Sequence, residues 1–413
     1  MGNDKESLLR EPRAPSIWSD LLNRRFVTQW IISFCNGALT APTYSLLAIY
    51  VESVLHHPPI FSAGLRAALL VLGGLVSILG GALSDNIGRK QTYLIGLTGP
   101  VLSGFMFFSD SPAALVALCV YSGVCWGFQT TASQSYMMDA VSGRSLGFGA
   151  AVYFIGFTLG NALGNLVIAP LADTLGFRAM GGIMVGGMAA LFVGTAIFLP
   201  GGRPGGLRSS QGAFRKTMGG YSGLLRQPVV LMLLGVRYLP TCYWGVATLL
   251  IPLLIFRAAG TNAAAAHYTA VSLVIAACFQ VAAGRLCDRF GRRRPILIAS
   301  SAVTLSALGA ALYAQSLVGL YVFGVIGAAS AWSLSTTMPG LMNDIAGEEE
   351  KGRIVGAAHL AWSLGMTSGN LGGGWLVEVH PGLPFYGVTA FCTVSLALAW
   401  GICQRIYPKK RAS

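Results

Sequence analysis

The chain has 413 residues, of which 54% are hydrophobic and only 10% charged, with a formal net charge of +13 and 54 glycines. A soluble domain carries about 25% charged residues, so this composition, with a mean hydropathy of +0.63, excludes a soluble globular protein and describes a polytopic membrane protein. The bases are dispersed along the chain rather than gathered in one patch, which argues against a nucleic-acid surface as the source of the positive charge.

Residues 1-25 are polar and charged, so no cleavable signal precedes the first apolar run and the segment reads as a cytoplasmic tail. It contains DKESLL (Asp4 to Leu9), an acid ahead of two leucines as in endosomal sorting signals. Six apolar stretches follow, at 26-51, 64-84, 92-109, 112-138, 146-170 and 180-199. Each approaches or exceeds the ~20 residues needed to cross a hydrocarbon core of about 30 Å. The segment 201-227 has the Gly, Ser and base content of a linker. Six more stretches lie at 228-256, 264-287, 295-315, 317-343, 353-378 and 384-406, before a short tail at 407-413. The expected fold is an all-α polytopic membrane protein of twelve transmembrane helices, in bundles at 26-200 and 228-406.

Basic loops stay on the cytoplasmic side. With both termini there, every Lys and Arg falls in a cytoplasmic segment except Arg66, Arg178 and Arg257 toward the outside and Arg237 within a span. The eight cysteines form no C-x-x-C pair and imply neither a disulfide nor a metal site.

The chain repeats itself. Asp85, Gly88 and Arg89 recur as Asp288, Gly291 and Arg292, each 203 residues later. A second pair of segments aligns Arg144, Gly147, Gly160, Asn161 and Gly164 with Arg353, Gly356, Gly369, Asn370 and Gly373, each 209 residues later. The run G-x-L-x-D-x-x-G-R-K at Gly81 to Lys90, and again at Gly284 to Arg293, resembles the signature loop of the major facilitator superfamily, between spans 2 and 3 and spans 8 and 9. The resemblance covers essentially the whole chain. It implies two pseudo-symmetric six-helix bundles and a secondary transporter that works by alternating access.

In that family the loop latches the bundles and releases as they rock, so the resemblance assigns Asp85, Gly88, Arg89, Asp288, Gly291 and Arg292 to gating, with Arg144 and Arg353 at neighbouring cytoplasmic ends. GFTLGNALGN (156-165) is similar to the span 5 stretch of the family's antiporters and keeps its glycine spacing, but has Asn161 in place of proline and Asn165 in place of the last glycine. The drug-antiporter arginine expected in span 4 is missing from CVYSGVCWGFQTT (119-131).

None of the fifteen acids is central to a span, whereas Arg237 lies about nine residues into span 7 with no obvious carboxylate partner. Charge at bilayer depth costs several kcal/mol and marks function, and a guanidinium without an acid fits an anionic ligand. Thr241, Trp244 and Thr248 share its helical face. The resemblance implies that spans 1, 4, 7 and 10 line the cavity. The candidate substrate contacts are therefore Arg237, Thr241 and Trp244, with Asn36, Thr40 and Tyr44 in span 1, Trp126 and Gln129 beside Ser133 in span 4, and Trp332 and Thr336 in span 10. His359 in span 11, with Ser363 beyond it, titrates near neutral pH and is the first candidate proton carrier, followed by Glu52 and Glu378 near the outer face.

The expected protein is a proton-driven transporter of a small organic anion or amphipathic metabolite. It needs no cofactor or metal, binds no nucleic acid, is sufficient as a monomer, and resides in the plasma (cell inner) membrane, or an endolysosomal one if the source is a eukaryote. Multidrug–proton antiport is the alternative within transport, and a transporter-like membrane sensor the alternative of another class. An enzyme would need an acid–base or metal cluster at one membrane face, and the sequence offers none.

Overall fold

The computed structural model describes residues 21–141, 146–201, 223, 226–345 and 351–407. Twelve long helices are found among them. The first six are α1 (Arg24–Ser53), α2 (Pro59–Ile87), α3 (Arg89–Ser103, prolonged by a tighter turn over Gly104–Phe107), α4 (Pro112–Ala140), α5 (Leu146–Val167) and α6 (Gly176–Phe198). The second six are α7 (Pro228–Ala259), α8 (Asn262–Phe290), α9 (Arg293–Leu312), α10 (Leu317–Ile345), α11 (Lys351–Leu376) and α12 (Leu383–Ile406). Nine helices among the described residues are long and apolar enough to cross a membrane by length and composition. The tail at 1–20, Arg144, and most of the 201-227 linker lie outside the described residues.

The helix ends follow local chemistry. Proline stands in the first turn of α2, α4, α7 and α12, where its missing N–H would be unpaired in any case. The sequence starts span 2 at 64, but Pro59 begins the helix, so Arg66 sits in its second turn. Asn23 caps α1 by accepting from the Phe26 amide at 2.9 Å and donates to the Ala140 carbonyl at 2.7 Å, tying α1 to the end of α4. The two signature loops turn on Gly88 (φ 103°) and Gly291 (φ 74°), in backbone conformations that a Cβ disfavours.

Two glycine ladders set the packing. A Cβ on Gly160 of α5 would lie 2.0 Å from the Phe34 carbonyl oxygen of α1, and one on Gly164 would lie 1.9 Å from that of Ala38. In the second half Gly365 and Gly369 of α11 bear in the same way on the Tyr238 and Cys242 carbonyls of α7, at 2.6 and 2.1 Å. The same backbone-on-backbone seam is thus built twice, and small residues permit it.

The largest apolar cluster belongs to both halves, joining Leu46, Tyr50, Ala63 and Met180 to Tyr243, Leu250, Ile255 and Ala265. Its α1 and α7 members lie in the later parts of those helices, at the face distal to the chain termini. Near the terminal face the buried clusters are private to one half: Val230, Ile296 and Ile402 in the second, Ile32, Tyr93 and Leu199 in the first. The two halves are therefore joined at the distal face.

Polar contacts agree. Arg257 of α7 grips Glu52 of α1 through two bonds, at 2.6 and 2.7 Å, and reaches Glu378 at 3.3 Å. Asp173 accepts from the backbone N–H groups of Asn262 and Ala263 at 3.0 and 2.7 Å, and from the Asn262 side chain at 2.7 Å, capping α8 from the other half. Arg66 donates to the Thr248 carbonyl of α7 at 2.9 Å and to the Tyr44 carbonyl of α1.

Half-buried bidentate pairs of this kind contribute about 1 kcal/mol or more, so Arg257→Gln should loosen the distal face several-fold. A thiol at Ala63→Cys, a position with no exposure, should react with an impermeant maleimide several times faster in the Arg257→Gln background, and an unchanged rate would deny the pair any role in closure.

Candidate functional site

Arg237 lies in the second to third turn of α7, where the helix is wedged between α10 and α11. Its Nη1 donates to Ser335 Oγ of α10 at 2.9 Å. Its Nε is buried without an acceptor, and no carboxylate among the described residues pairs with it. A cation bonded only to one hydroxyl keeps most of its donor capacity free.

Aromatic pairs lie on the same three helices. Trp244 meets Trp332 of α10 edge to face, with ring centroids 6.1 Å apart and planes at 75°, and the Trp332 indole nitrogen is also buried without an acceptor. His359 of α11 is exposed, stacks on Trp362 at 5.6 Å and 21°, and lies within electrostatic range of Arg237. Thr241 and Thr336 turn their hydroxyls back onto their own helices, to the carbonyls of Arg237 (2.6 Å) and Trp332 (2.9 Å). The structure thus brings Arg237, Trp244, Trp332 and His359 together and adds Ser335, which the sequence reading did not single out.

The residues from the first half are spread more widely. Asn36 and Thr40 are buried in α1, Thr40 Oγ1 donating to the Asn36 backbone carbonyl at 2.7 Å while Asn36 Oδ1 is buried without a partner, and Tyr44, one turn on from Thr40, is 42% exposed. Trp126 lies over Gly73, where a Cβ would be 2.1 Å from the ring, and Gln129 backs onto Gly96 of α3. Both therefore begin as packing residues of the seams that α4 makes with α2 and α3. Glu52 and Glu378 are not lone carboxylates: both are held by Arg257.

In the signature loops each arginine pairs within its own half. Arg89 contacts Asp139 at the end of α4 at 3.1 Å and Ser84 at 3.2 Å. Arg292 pairs with Asp344 at the end of α10 and donates to the Gly340 carbonyl at 2.8 Å. The carboxylate of Asp344 also accepts from Tyr407, and its bond to Arg292 raises that guanidinium above its ordinary pKa. Gly88 and Gly291 form the turns themselves, while the side chains of Asp85, Asp288 and Arg353 lie outside the described set, as does Arg144 entirely. Asp139 and Asp344 were legible as acids closing spans 4 and 10, but not as the partners of these loops.

Comparison with known proteins follows the same lines. A family model described as Major Facilitator Superfamily matches residues 30–339 and 244–413. Among curated proteins, the chain is 27% identical over 134 residues to the gallate transporter of Pseudomonas putida, covering 32% of this chain and 28% of that protein. It is 28% identical over 197 residues to the cis,cis-muconate transport protein of Acinetobacter baylyi, covering 45% and 43%. It is also 28% identical over 156 residues to the multidrug resistance protein fnx1 of Schizosaccharomyces pombe, covering 36% and 28%. The matched segments thus span less than half the length of these relatives. Among solved structures, a mutant of the nucleoside transporter NupG superposes with a TM-score of 0.76 at 15% identity, over 93% of this chain and all of that one. A peptide-bound POT family transporter gives 0.77 at 11% identity, over 92% of this chain and 96% of that one.

Proposed function

From a chain that belongs to the Major Facilitator Superfamily, and so is an integral multi-pass membrane protein of a transporter family, we propose a secondary active transporter whose cargo is a small organic anion. The observation that carries this reading is Arg237, a buried guanidinium with one neutral partner and an orphan Nε. A buried cation without an acid leaves a large desolvation cost uncompensated, and a bound carboxylate would offset it through charge-assisted, bidentate bonds. The Trp244 and Trp332 rings supply apolar area for the body of such a molecule. Gallate and cis,cis-muconate, the molecules named for two relatives, are both carboxylates, which supports the same reading.

Transport would proceed by alternating access. The halves joined at the distal face, with the buried clusters near the terminal face private to each half among the described residues, support one of its two states, and the Arg257 pairs are contacts that the opposite state would give up. With the terminal face on the cytoplasmic side, as the base distribution argues, the present state opens inward. His359 is the proposed proton carrier, because an imidazole can take up and release a proton and it lies within electrostatic range of the cation that would hold the cargo. A monomer suffices, in the plasma (cell inner) membrane.

A second reading, drug efflux, has support in the facing indoles and in the partial likeness to fnx1. Melting of the purified protein against organic anions, hydrophobic cations and neutral sugars separates the two, because ligands of the native state raise its apparent stability. Anions alone should raise the melting temperature, whereas stabilisation by hydrophobic cations or neutral drugs with none from anions would replace the anion reading by efflux.

A further inference from the structure

The glycine ladders fix the three-dimensional register of the internal repeat. Trp30, Phe34 and Ala38 of α1 receive Gly156, Gly160 and Gly164, as Tyr238, Cys242 and Val246 of α7 receive Gly365, Gly369 and Gly373, each position 208 or 209 later. In that register Gln29 occupies in the first half the place of Arg237 in the second. The neighbours correspond too: Gln129 follows Trp126 by three residues, as Ser335, the partner of Arg237, follows Trp332.

Gln29 is fully buried, and neither its Nε2 nor its Oε1 makes a hydrogen bond of good geometry, although the phenols of Tyr93 and Tyr153 are near enough to bond it weakly. It sits beside the phenols of Tyr93 and Tyr153, with Gln129 also at Tyr93. Gln129 and Tyr153 retain 7% exposure each, so the group is not wholly sealed. A buried amide left without a well-formed hydrogen bond loses its hydration and regains little of it from neighbours placed for weak contact only. No charged side chain among the described residues pairs here, so the ligand chemistry that satisfies the amide and phenols is neutral, donating and accepting at once.

We propose that Gln29, Gln129, Tyr93 and Tyr153 form a second, uncharged half-site that takes a hydroxyl or carbonyl group of the cargo. Resting on the anion reading of Arg237, this narrows the cargo to a monoanion with a neutral hydrogen-bonding group away from its carboxylate, and disfavours a dianion, so that gallate and not the dicarboxylate cis,cis-muconate is the relative's molecule it would resemble. The two half-sites lie at the same level of the repeat, on opposite sides of the interface between the halves. One pole supplies charge and the other only hydrogen bonds.

The test compares benzoate, para-hydroxybenzoate and terephthalate by the concentration dependence of melting of the purified full-length protein. The native protein should bind para-hydroxybenzoate roughly tenfold more tightly than benzoate, with terephthalate the weakest of the three. Gln29→Leu should reduce the hydroxybenzoate advantage to near unity while leaving benzoate affinity in place, and Gln29→Arg should move the preference to terephthalate. Because removing an unpaired buried amide is close to neutral for folding, Gln29→Leu should melt near the native temperature. Gln129→Leu gives an independent variant should Gln29→Leu fail to fold. Equal binding of the two monoanions by the native protein, or an advantage that survives both leucine variants, would overturn the half-site while the Arg237 reading stands. If no anion shifts the melt, both readings fall together.

Discussion

Arg237→Ala should lower uptake of the best-stabilising anion by about 100-fold or more in proteoliposomes, with the unliganded melting temperature little changed. Each bond from a charged donor to a carboxylate contributes about 1.5–3 kcal/mol, and the guanidinium can form two at once with the planar group. Alanine removes both. The fold should tolerate the loss, because in the unliganded protein the guanidinium is bonded only to Ser335 and its Nε is unsatisfied. Arg237→Lys should restore only part of the activity, since an ammonium offers a point charge in place of the bidentate fork. Uptake by Arg237→Ala at the native rate would make the residue structural and return the cavity to the drug reading.

Gly369→Leu should be the most damaging single change to folding. A Cβ there lies 2.1 Å from the Cys242 carbonyl oxygen, well inside contact distance, so α7 and α11 must move apart along their closest seam. Overpacking by single methylenes already costs about 1–3 kcal/mol, and leucine adds four carbons against a rigid backbone, so loss of folded protein or a fall in melting temperature of roughly 10 °C is expected. Gly160→Leu should behave alike, because the repeat places it 2.0 Å from the Phe34 carbonyl. Gly372→Leu is the control: it points into open space, with nothing within 4 Å, and should melt within a few degrees of the native protein. Equal tolerance of all three substitutions would show that the glycine ladders do not set the helix spacing.

Much of the site is legible because its signals are local. Arg237 stands out from one apolar helix by charge alone, and Trp244 and Trp332 follow from helical spacing within the spans that the family resemblance names. Ser335 is hidden because one serine among many in α10 carries no distinguishing pattern until the guanidinium is seen to reach it. Arg66 reads as a charge toward the outside, just within a span that starts at 64, whereas proline at the helix start carries α2 back to Pro59 and places the arginine further along the helix. Glu52 and Glu378 look like free carboxylates for the same reason that Arg257 looks like a loop base: the three are far apart in the chain, and only their convergence at 2.6 to 3.3 Å changes what each can do.

The sequence by itself determined the class of the protein, its helices, its twofold repeat and its two signature turns. Those follow from apolar run length, glycine spacing and positions that need a positive φ, all of which act over a few neighbouring residues. Only the tertiary structure decided which face is joined, which carboxylates are paired, and which buried polar groups are left without partners. Pairing depends on residues some two hundred positions apart meeting at hydrogen-bond distance, and no local pattern encodes that. Gln29 is an unremarkable letter in its helix, whereas Arg237 stands out by charge; what folding adds is that it buries both at equivalent places and satisfies neither fully.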